Sequence, residues 1–405
     1  MKKIAVIGGG AAGMMAAAEA ARDGNIVYLT EKNEKLGKKL YITGKGRCNI
    51  TNLAPMDEFF LNIPRNPRFL YSAFDSFSNE DVVTLMNSLG VPTKLERGNR
   101  IFPVSDKSSD VIRALADRCK KRGVRILLNS EVKSIAHTEA GFDISFEKEE
   151  DMHFDAVVIA TGGVTYKSTG STGAGFNFAE SLGHTIIPPK PSLVPLETKE
   201  QWITGLMGLT LKNVTLKAYR KNKLIYEELG ELLITHFGIS GPLVLSLSGV
   251  IADDPAGVCC KIDMKPGLTL EELDRRILRD LDKHKHKTIR NALIDLMPSR
   301  MTEYMVMLAK IADETTTDTI TKAERKRLCE LIKGIPLTIK CARPLDEGII
   351  TRGGVSVKEI VPSTMESKLV KGLFFAGEVI DVDGYTGGFN LQIAFSTGYL
   401  AGRSV

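Results

Sequence analysis

A chain that opens on the apolar run Ile4-Ala5-Val6-Ile7 and passes at once into Gly8-Gly9-Gly10-Ala11-Ala12-Gly13 has few folds open to it. The run suits a buried parallel strand, and the glycines follow the spacing G-x-G-x-x-G between a strand and a helix. A helix rich in Ala and Met is expected over Ala12 to Arg22, stopped at Asp23-Gly24, where glycine accepts the left-handed cap. A second strand, Ile26 to Thr30, ends at Glu31. Here Gly8 permits the tight turn, Gly10 lets a pyrophosphate approach the backbone, and Gly13 lets helix and strand pack closely. The free amides of the helix N-terminus face the phosphates. Glu31 stands where a carboxylate accepts hydrogen bonds from an adenosine ribose, and it would repel a 2′-phosphate, which argues against NADP in this site. A glycine-rich turn without a ligand is the bland alternative, and it does not account for strand, glycines, helix, strand and acid in register.

The motif alone does not separate NAD from FAD; two distant segments do. Residues 155–163 read DAVVIATGG, an apolar strand running into Thr161-Gly162-Gly163, where small residues leave room for a dinucleotide beside the backbone. Residues 371–390 read KGLFFAGEVIDVDGYTGGFN, so that a strand delivers Gly377-Glu378 to its carboxyl end, where open α/β sheets bind ligands. Gly387-Gly388-Phe389-Asn390 then opens a helix whose amides would stabilise negative charge on the N1/O2 side of a reduced flavin. NAD has no such need. A plain turn before a core helix is the competing reading of these last glycines.

Between the two nucleotide motifs, residues 36–52 read LGKKLYITGKGRCNITN, with three glycines and four cations. This reads as a functional loop. Lys38 and Lys39 are candidates for the pyrophosphate, and Thr43, Arg47 and Asn49 for flavin or substrate. Cys48, beside Arg47 in a part-exposed loop, has the electropositive surroundings that lower a thiol pKa. It is a candidate general acid that protonates a substrate carbon while the flavin supplies hydride. A small buried thiol is the structural alternative.

Composition bounds the rest. The 405 residues are 43% hydrophobic and 25% charged, ordinary for a globular chain of two or three domains. Six Cys without a CxxC pair exclude a disulfide scaffold and a zinc site of usual spacing, and suggest a reducing, cytoplasmic location. Met1-Lys2-Lys3 precedes a run that breaks into glycines, so it reads as strand rather than secretion signal. No apolar stretch is long enough for a membrane span. Pro188-Pro189-Lys190-Pro191 reads as a stiff linker and a domain boundary. Short alternating runs over 192–264, and the apolar stretch Leu243 to Leu247, read as β-rich. His236, in the turn-like string ITHFGISGP, is a candidate acid or base, with loop-fixing as its alternative role. Residues 268–333 turn to helical period: Thr269 caps, Leu273, Ile277 and Leu281 share a face, and further helices are expected over Thr302 to Ala312 and Lys322 to Lys333.

Net charge is +5, and its placement is informative. Lys265 to Arg343 holds 17 Lys and Arg against 12 Asp and Glu, leaving 37 of each elsewhere. The excess therefore sits on the helical insert, including Lys283-His284-Lys285-His286-Lys287, where it could meet RNA phosphates or simply form a solvated face.

The strings GKKLYITGKGRCNITN, LLITHFGISGPLVLSLS and TRGGVSVKEIVPSTMESKLVKGLFFAGEVIDVDGYTGGFNLQIAFSTG, with GGGAAG, resemble the BaiN/YhiN-type bacterial flavoproteins over nearly the whole chain. The resemblance implies an α/β protein whose Rossmann-like FAD-binding domain (1–190 and 345–405) is interrupted by a small β-barrel domain (191–264 and 336–344) and a helical domain (265–335). It implies FAD contacts at Gly8, Gly10, Ala12, Gly13, Glu31, Lys32, Lys38, Lys39, Thr43, Gly44, Val132, Thr161, Gly162, Glu378, Asp381, Gly388, Phe389 and Asn390. Relatives in this family include an aminoacetone oxidase, a reductase of dehydro-bile-acid double bonds and a synthase of dihydrouridine in 23S ribosomal RNA. The expected activity is FAD-dependent reduction of a conjugated C=C bond, uridine in 23S rRNA being the favoured substrate. An O₂-using oxidase of a small amine, reduction of another small enone, and a flavin-containing RNA binder are the alternatives. No second G-x-G-x-x-G follows a strand, since Gly170-Ser171-Thr172-Gly173-Ala174-Gly175 has a different spacing, so NAD(P)H is expected to dock transiently as electron donor.

Overall fold

The computed structural model describes all 405 residues. The chain divides into two compact units, Met1–Ser192 with Leu345–Val405, and Leu193–Pro344.

The first unit is built on a five-stranded parallel sheet in the order Leu373–Phe375, Ala156–Ile159, Lys3–Ile7, Ile26–Glu31, Arg125–Leu128. Ile4 aligns with Ala156 on one side and Val27 on the other, so the strand before the glycines lies at the centre. Its residues 4–7 are buried, which is why they read as a continuous apolar run. The first helix, Ala11–Ala20, is buried almost all round, and Gly24 ends the following turn at φ +79°. The C-terminal helix, Phe389–Ser404, lies against it backbone to backbone. A Cβ added to Gly398 would stand 2.4 Å from the Ala12 carbonyl oxygen, and one on Gly402 would stand 2.3 Å from that of Ala16.

The prolines do not form a free linker. They lie in the strand Ile186–Ser192, which pairs antiparallel with Ile350–Val355 and slips register between Ile187 and Lys190. Two-stranded pairing and a bulge are the setting in which missing proline donors are tolerated.

The second unit is a closed six-stranded barrel, in the order Leu196–Thr198, Gly238–Ser240, Lys223–Ile234, Thr210–Arg220, Cys259–Asp263, Ile335–Ala342. Helices Leu270–Lys283, Ser299–Leu308 and Lys322–Ile332 follow, the first and third opened by capping boxes from Thr269 with Glu272 and Thr321 with Glu324. Leu273, Ile277 and Leu281 share one continuous core with Leu216, Ile262 and Leu337 of the barrel. The stretch at Leu243 to Leu247 is not β. It lies in the helix Pro242–Ile251, where Gly241 at φ +90° turns the chain and Pro242 occupies the first turn. A short run buried on all sides carries no period by which helix and strand can be told apart.

Candidate functional site

Three segments of the first unit converge on the carboxyl ends of its parallel strands. Gly8 has φ +106°, and a Cβ there would lie 2.5 Å from the Ala160 carbonyl oxygen. One on Gly13 would lie 1.8 Å from the Gly8 oxygen. Both positions are closed to any other residue. Gly10, the residue capping the first helix, has open space where its side chain would be, so a phosphate can approach its backbone. Ala12 packs under Gly377, whose Cβ would come within 2.8 Å of the Ala12 methyl.

Glu31 braces the glycine turn. Gly9 N–H donates to its Oε2 at 2.9 Å, while Asn33 donates to Oε1 from its backbone at 2.9 Å and from Nδ2 at 2.7 Å. Lys32 donates to Thr172 Oγ1 at 2.8 Å, and Lys38 to Asn33 Oδ1 at 3.3 Å with Glu34 at 3.2 Å. Lys39 reaches across the sheet end to Glu378 Oε2 at 2.6 Å and Thr165 Oγ1 at 2.8 Å. Glu378 Oε1 accepts from the Thr351 backbone at 2.8 Å. Sequence reasoning assigned Lys39 and Glu378 separately; the fold makes them an ion pair. Val132 opens the strand Val132–Thr138, opposite Phe146.

The 36–52 segment departs most from expectation. It is not an open loop but a helical turn, Lys38–Ile42, followed by a tight turn in which Gly44, Lys45, Gly46 and Cys48 all take positive φ. Cys48 is fully buried. Burial pushes its thiol up to about 12, opposed by a hydrogen bond with Thr43. Arg47 cannot activate it. Its guanidinium stacks on Phe102 at 4.2 Å, donates to Asp106 Oδ1 at 2.6 Å, and pairs with Glu96. The expectation of a part-exposed, low-pKa Cys48 is therefore corrected: the neighbouring cation is spent on carboxylates and the thiol sits in the core. Thr43 Oγ1 donates to the Leu40 carbonyl at 2.7 Å, and Gly44 stands at φ +56°.

At the far end of the site, Gly388 has φ +104°, and a Cβ there would lie 2.5 Å from the Thr51 carbonyl. Phe389 packs its ring on Phe59 at 4.7 Å. Asn390 closes the preceding loop, accepting from Gly384 N–H at 2.9 Å and donating to the Gly384 carbonyl at 2.7 Å. Asp381 is buried beneath a fork from Arg65, with Nη2 to Oδ2 at 2.8 Å. Arg65, Ser192, Thr351 and Asp383 were not singled out from the sequence, although Asp383 lies within the quoted IDVDGYTGG string. His236 belongs to the second unit, exposed between its barrel strands, with its ring edge-on to Phe237 at 4.8 Å. It is not among the groups the first unit gathers.

The residues fit a dinucleotide carrying a flavin. Thr161 Oγ1 and Asn49 Oδ1 are buried with no hydrogen-bond partner in the protein, and Gly162 beside Thr161 has φ +76°. Buried polar atoms of this kind are matched in most proteins. Thr161 follows the strand Ala156–Ile159 at the carboxyl end of the sheet, as Gly8 follows the central strand, and its Oγ1 lies against Gly175, where a Cβ would stand 2.0 Å away.

The family described as "HI0933-like protein Rossmann domain" matches residues 2–404. The chain is 33% identical over 409 residues to the 3-dehydro-bile acid delta(4,6)-reductase of Clostridium scindens, covering 100% of this chain and 99% of that protein. It is 32% identical over 405 residues to the ribosomal RNA dihydrouridine synthase of Haemophilus influenzae, covering 99% and 97%. Among solved structures, the 3-ketosteroid-delta4-(5alpha)-dehydrogenase of Rhodococcus jostii RHA1 shares the fold at a TM-score of 0.54 and 15% identity, over 100% of this chain and 96% of that one. With its glycine cradle, its parallel sheet and this match from end to end, the chain belongs to the HI0933-like family of Rossmann-fold, FAD-dependent oxidoreductases.

Proposed function

We propose that this protein reduces a C=C bond conjugated to a carbonyl, with FAD as resident cofactor and a nicotinamide as electron donor. The observation that carries the FAD part is the glycine turn at the carboxyl end of the central strand, closed at Gly8 and Gly13 and open at the Gly10 backbone, in a unit that also leaves Thr161 Oγ1 and Asn49 Oδ1 buried without partners. Two relatives favour the reaction, since one is named a 3-dehydro-bile acid delta(4,6)-reductase and the other a ribosomal RNA dihydrouridine synthase.

In this reading Gly8, Gly10, Ala12 and Gly13 hold the pyrophosphate on the first helix, while Glu31 and Val132 hold the adenosine. Lys32, Lys38, Lys39, Thr43, Gly44, Thr161, Gly162, Glu378 and Asp381 line the passage to the ring. Gly388, Phe389 and Asn390 set the last helix so that its amides meet negative charge on the ring. When bound, FAD would supply the two-electron chemistry that links a nicotinamide donor to hydride addition at the unsaturated carbon. The protein's part is to orient the two, exclude water and supply the proton for the neighbouring carbon. Cys48, held at about 12 in the core, is a poor donor at neutral pH.

Ribosomal RNA is the proposed macromolecular substrate and a small enone the second reading, each resting on a relative of similar identity. The helical insert supports the RNA case in part. Arg276, Lys283, Lys285, Arg290, Arg325, Lys326 and Lys333 are ion-paired with neighbouring carboxylates, while Lys265, Arg275, Arg279, Lys287, Arg300, Lys310, Lys322 and Arg327 form no ion pair. A cytoplasmic location follows only if RNA is the substrate; no helix is long and apolar enough to cross a membrane.

The test is anaerobic. The yellow protein is reduced with NADPH or NADH, then offered unmodified 23S rRNA, a 3-keto-4,6-diene bile acid and aminoacetone separately. Reoxidation by either of the first two supports the reductase. A reduced flavin that responds to neither, in a protein that releases peroxide with aminoacetone and O₂, would replace it with the oxidase.

A further inference from the structure

The loop 381–388, between the last strand of the parallel sheet and the C-terminal helix, carries a carboxyl group that the FAD contacts do not use. Asp383 is fully buried. Its Oδ2 accepts a hydrogen bond from the equally buried Ser192 hydroxyl at 2.8 Å, and its Oδ1 has no partner in the protein. The backbone of Asp383 bridges to Arg65, and the loop is pinned by Tyr385 N–H to the Asn62 carbonyl at 2.9 Å and by the Asn390 side chain. The acid is thus held in a fixed place in the loop that leads into the C-terminal helix.

The charged groups around it are Arg352 and Arg65, which favour its ionised form, and Asp381, which opposes it. Arg65 is already forked onto Asp381, so its charge is largely matched. Desolvation outweighs these, raising the carboxyl to about 6. A neutral carboxylic acid carries an O–H that must find an acceptor. Its one bonded oxygen is already taken by Ser192, and no protein atom accepts from the other.

We propose that Asp383 is the proton donor of the reductive step, presenting Oδ1–H to the carbon next to the one that receives hydride. This rests on the reductase reading above. Hydride from the reduced flavin forms one new C–H bond and leaves the flavin oxidised. The π pair of the substrate takes the Asp383 proton to form the other, leaving a carboxylate that is reprotonated before the next turnover. The nicotinamide restores the two electrons. A donor whose acidity lies near the working pH is suited to this task.

The experiment compares wild type with D383N, D383E and S192A as FAD-loaded protein, using the bile-acid dienone and unmodified 23S rRNA as oxidants. D383N is expected to accept electrons from NAD(P)H at the wild-type rate and to be reoxidised at least 100-fold more slowly, roughly the worth of a placed acid. D383E recovers part of the loss. S192A removes a bond that favours the carboxylate, so the falling limb of its reoxidation rate moves to higher pH. A separate readout is infrared: oxidised wild type at pH 5 shows a protonated-carboxyl stretch that fades by pH 8 and is missing in D383N. Wild-type reoxidation in D383N, or no such band in wild type, overturns the assignment alone. A wild type reoxidised by neither oxidant overturns the reductase reading, and the donor with it.

Discussion

Two segments of the first unit each bury a group able to hold a proton: 43–52 with Cys48, and 381–388 with Asp383. Both are buried in the folded chain, and both lie in backbone forced into unusual geometry by glycines. Burial moves both pKa values upward, because it penalises the charged form. For the thiol, upward means about 12, out of reach of neutral pH; for the carboxyl, it means about 6, into reach. The same physical effect silences one group and equips the other. The sign of a shift matters less than where it starts.

The largest expected effect comes from breaking both segments at once. Gly388→Ala places a methyl against the Thr51 carbonyl, where the two segments touch, in a left-handed conformation besides. A loss of roughly 3 kcal/mol or more is expected, with FAD released or not retained on purification, read by melting temperature and absorbance at the flavin band.

Next comes the pH dependence of stability. The folded-state pKa of Asp383 lies above its unfolded value of 3.8, so the native state holds the extra proton between about 4 and 6. Stability therefore falls as pH rises through that window, by on the order of 3 kcal/mol at about 1.4 kcal/mol per unit. D383N should match wild type near pH 4 and exceed it at pH 8 in urea unfolding; a variant less stable than wild type at pH 8 would break the comparison.

Cys48→Ala is expected to cost about 1 kcal/mol in lost packing, with FAD retained and turnover little changed. Iodoacetamide at pH 8 should modify the exposed Cys259 in native protein and reach Cys48 only after unfolding. Rapid native labelling of Cys48, or a collapse of turnover in the alanine variant, would restore the acid role first read from the sequence. The smallest effect belongs to Glu96→Gln. Arg47 holds the Glu96 carboxyl below its usual range, and Lys94 together with Arg47 does the same for Asp106. These charges lie at the surface, and melting temperature should barely move.

What was legible in the chain follows the same division. The turn at Gly8 to Gly13 is decided by residues within a few positions of one another, so spacing alone revealed strand, helix and ligand class. The helix faces at Leu273, Ile277 and Leu281 were legible because one side is wet and the other dry. The run at Leu243 to Leu247 lacks that contrast, and its helix was hidden. Cys48 was misjudged because the fate of Arg47 depends on Glu96 and Asp106, some fifty residues away. Asp383 was passed over for a like reason: its hydroxyl partner, Ser192, lies 191 residues distant along the chain.

Gly398 and Gly402, which let the C-terminal helix rest on the carbonyls of Ala12 and Ala16, set the order of events during synthesis. The phosphate-binding turn leaves the ribosome well before the surface that backs it, nearly four hundred residues later in the chain. Until residues 389–404 emerge, the first helix keeps an uncovered alanine face, and the barrel unit has every opportunity to fold before the nucleotide fold that brackets it can close.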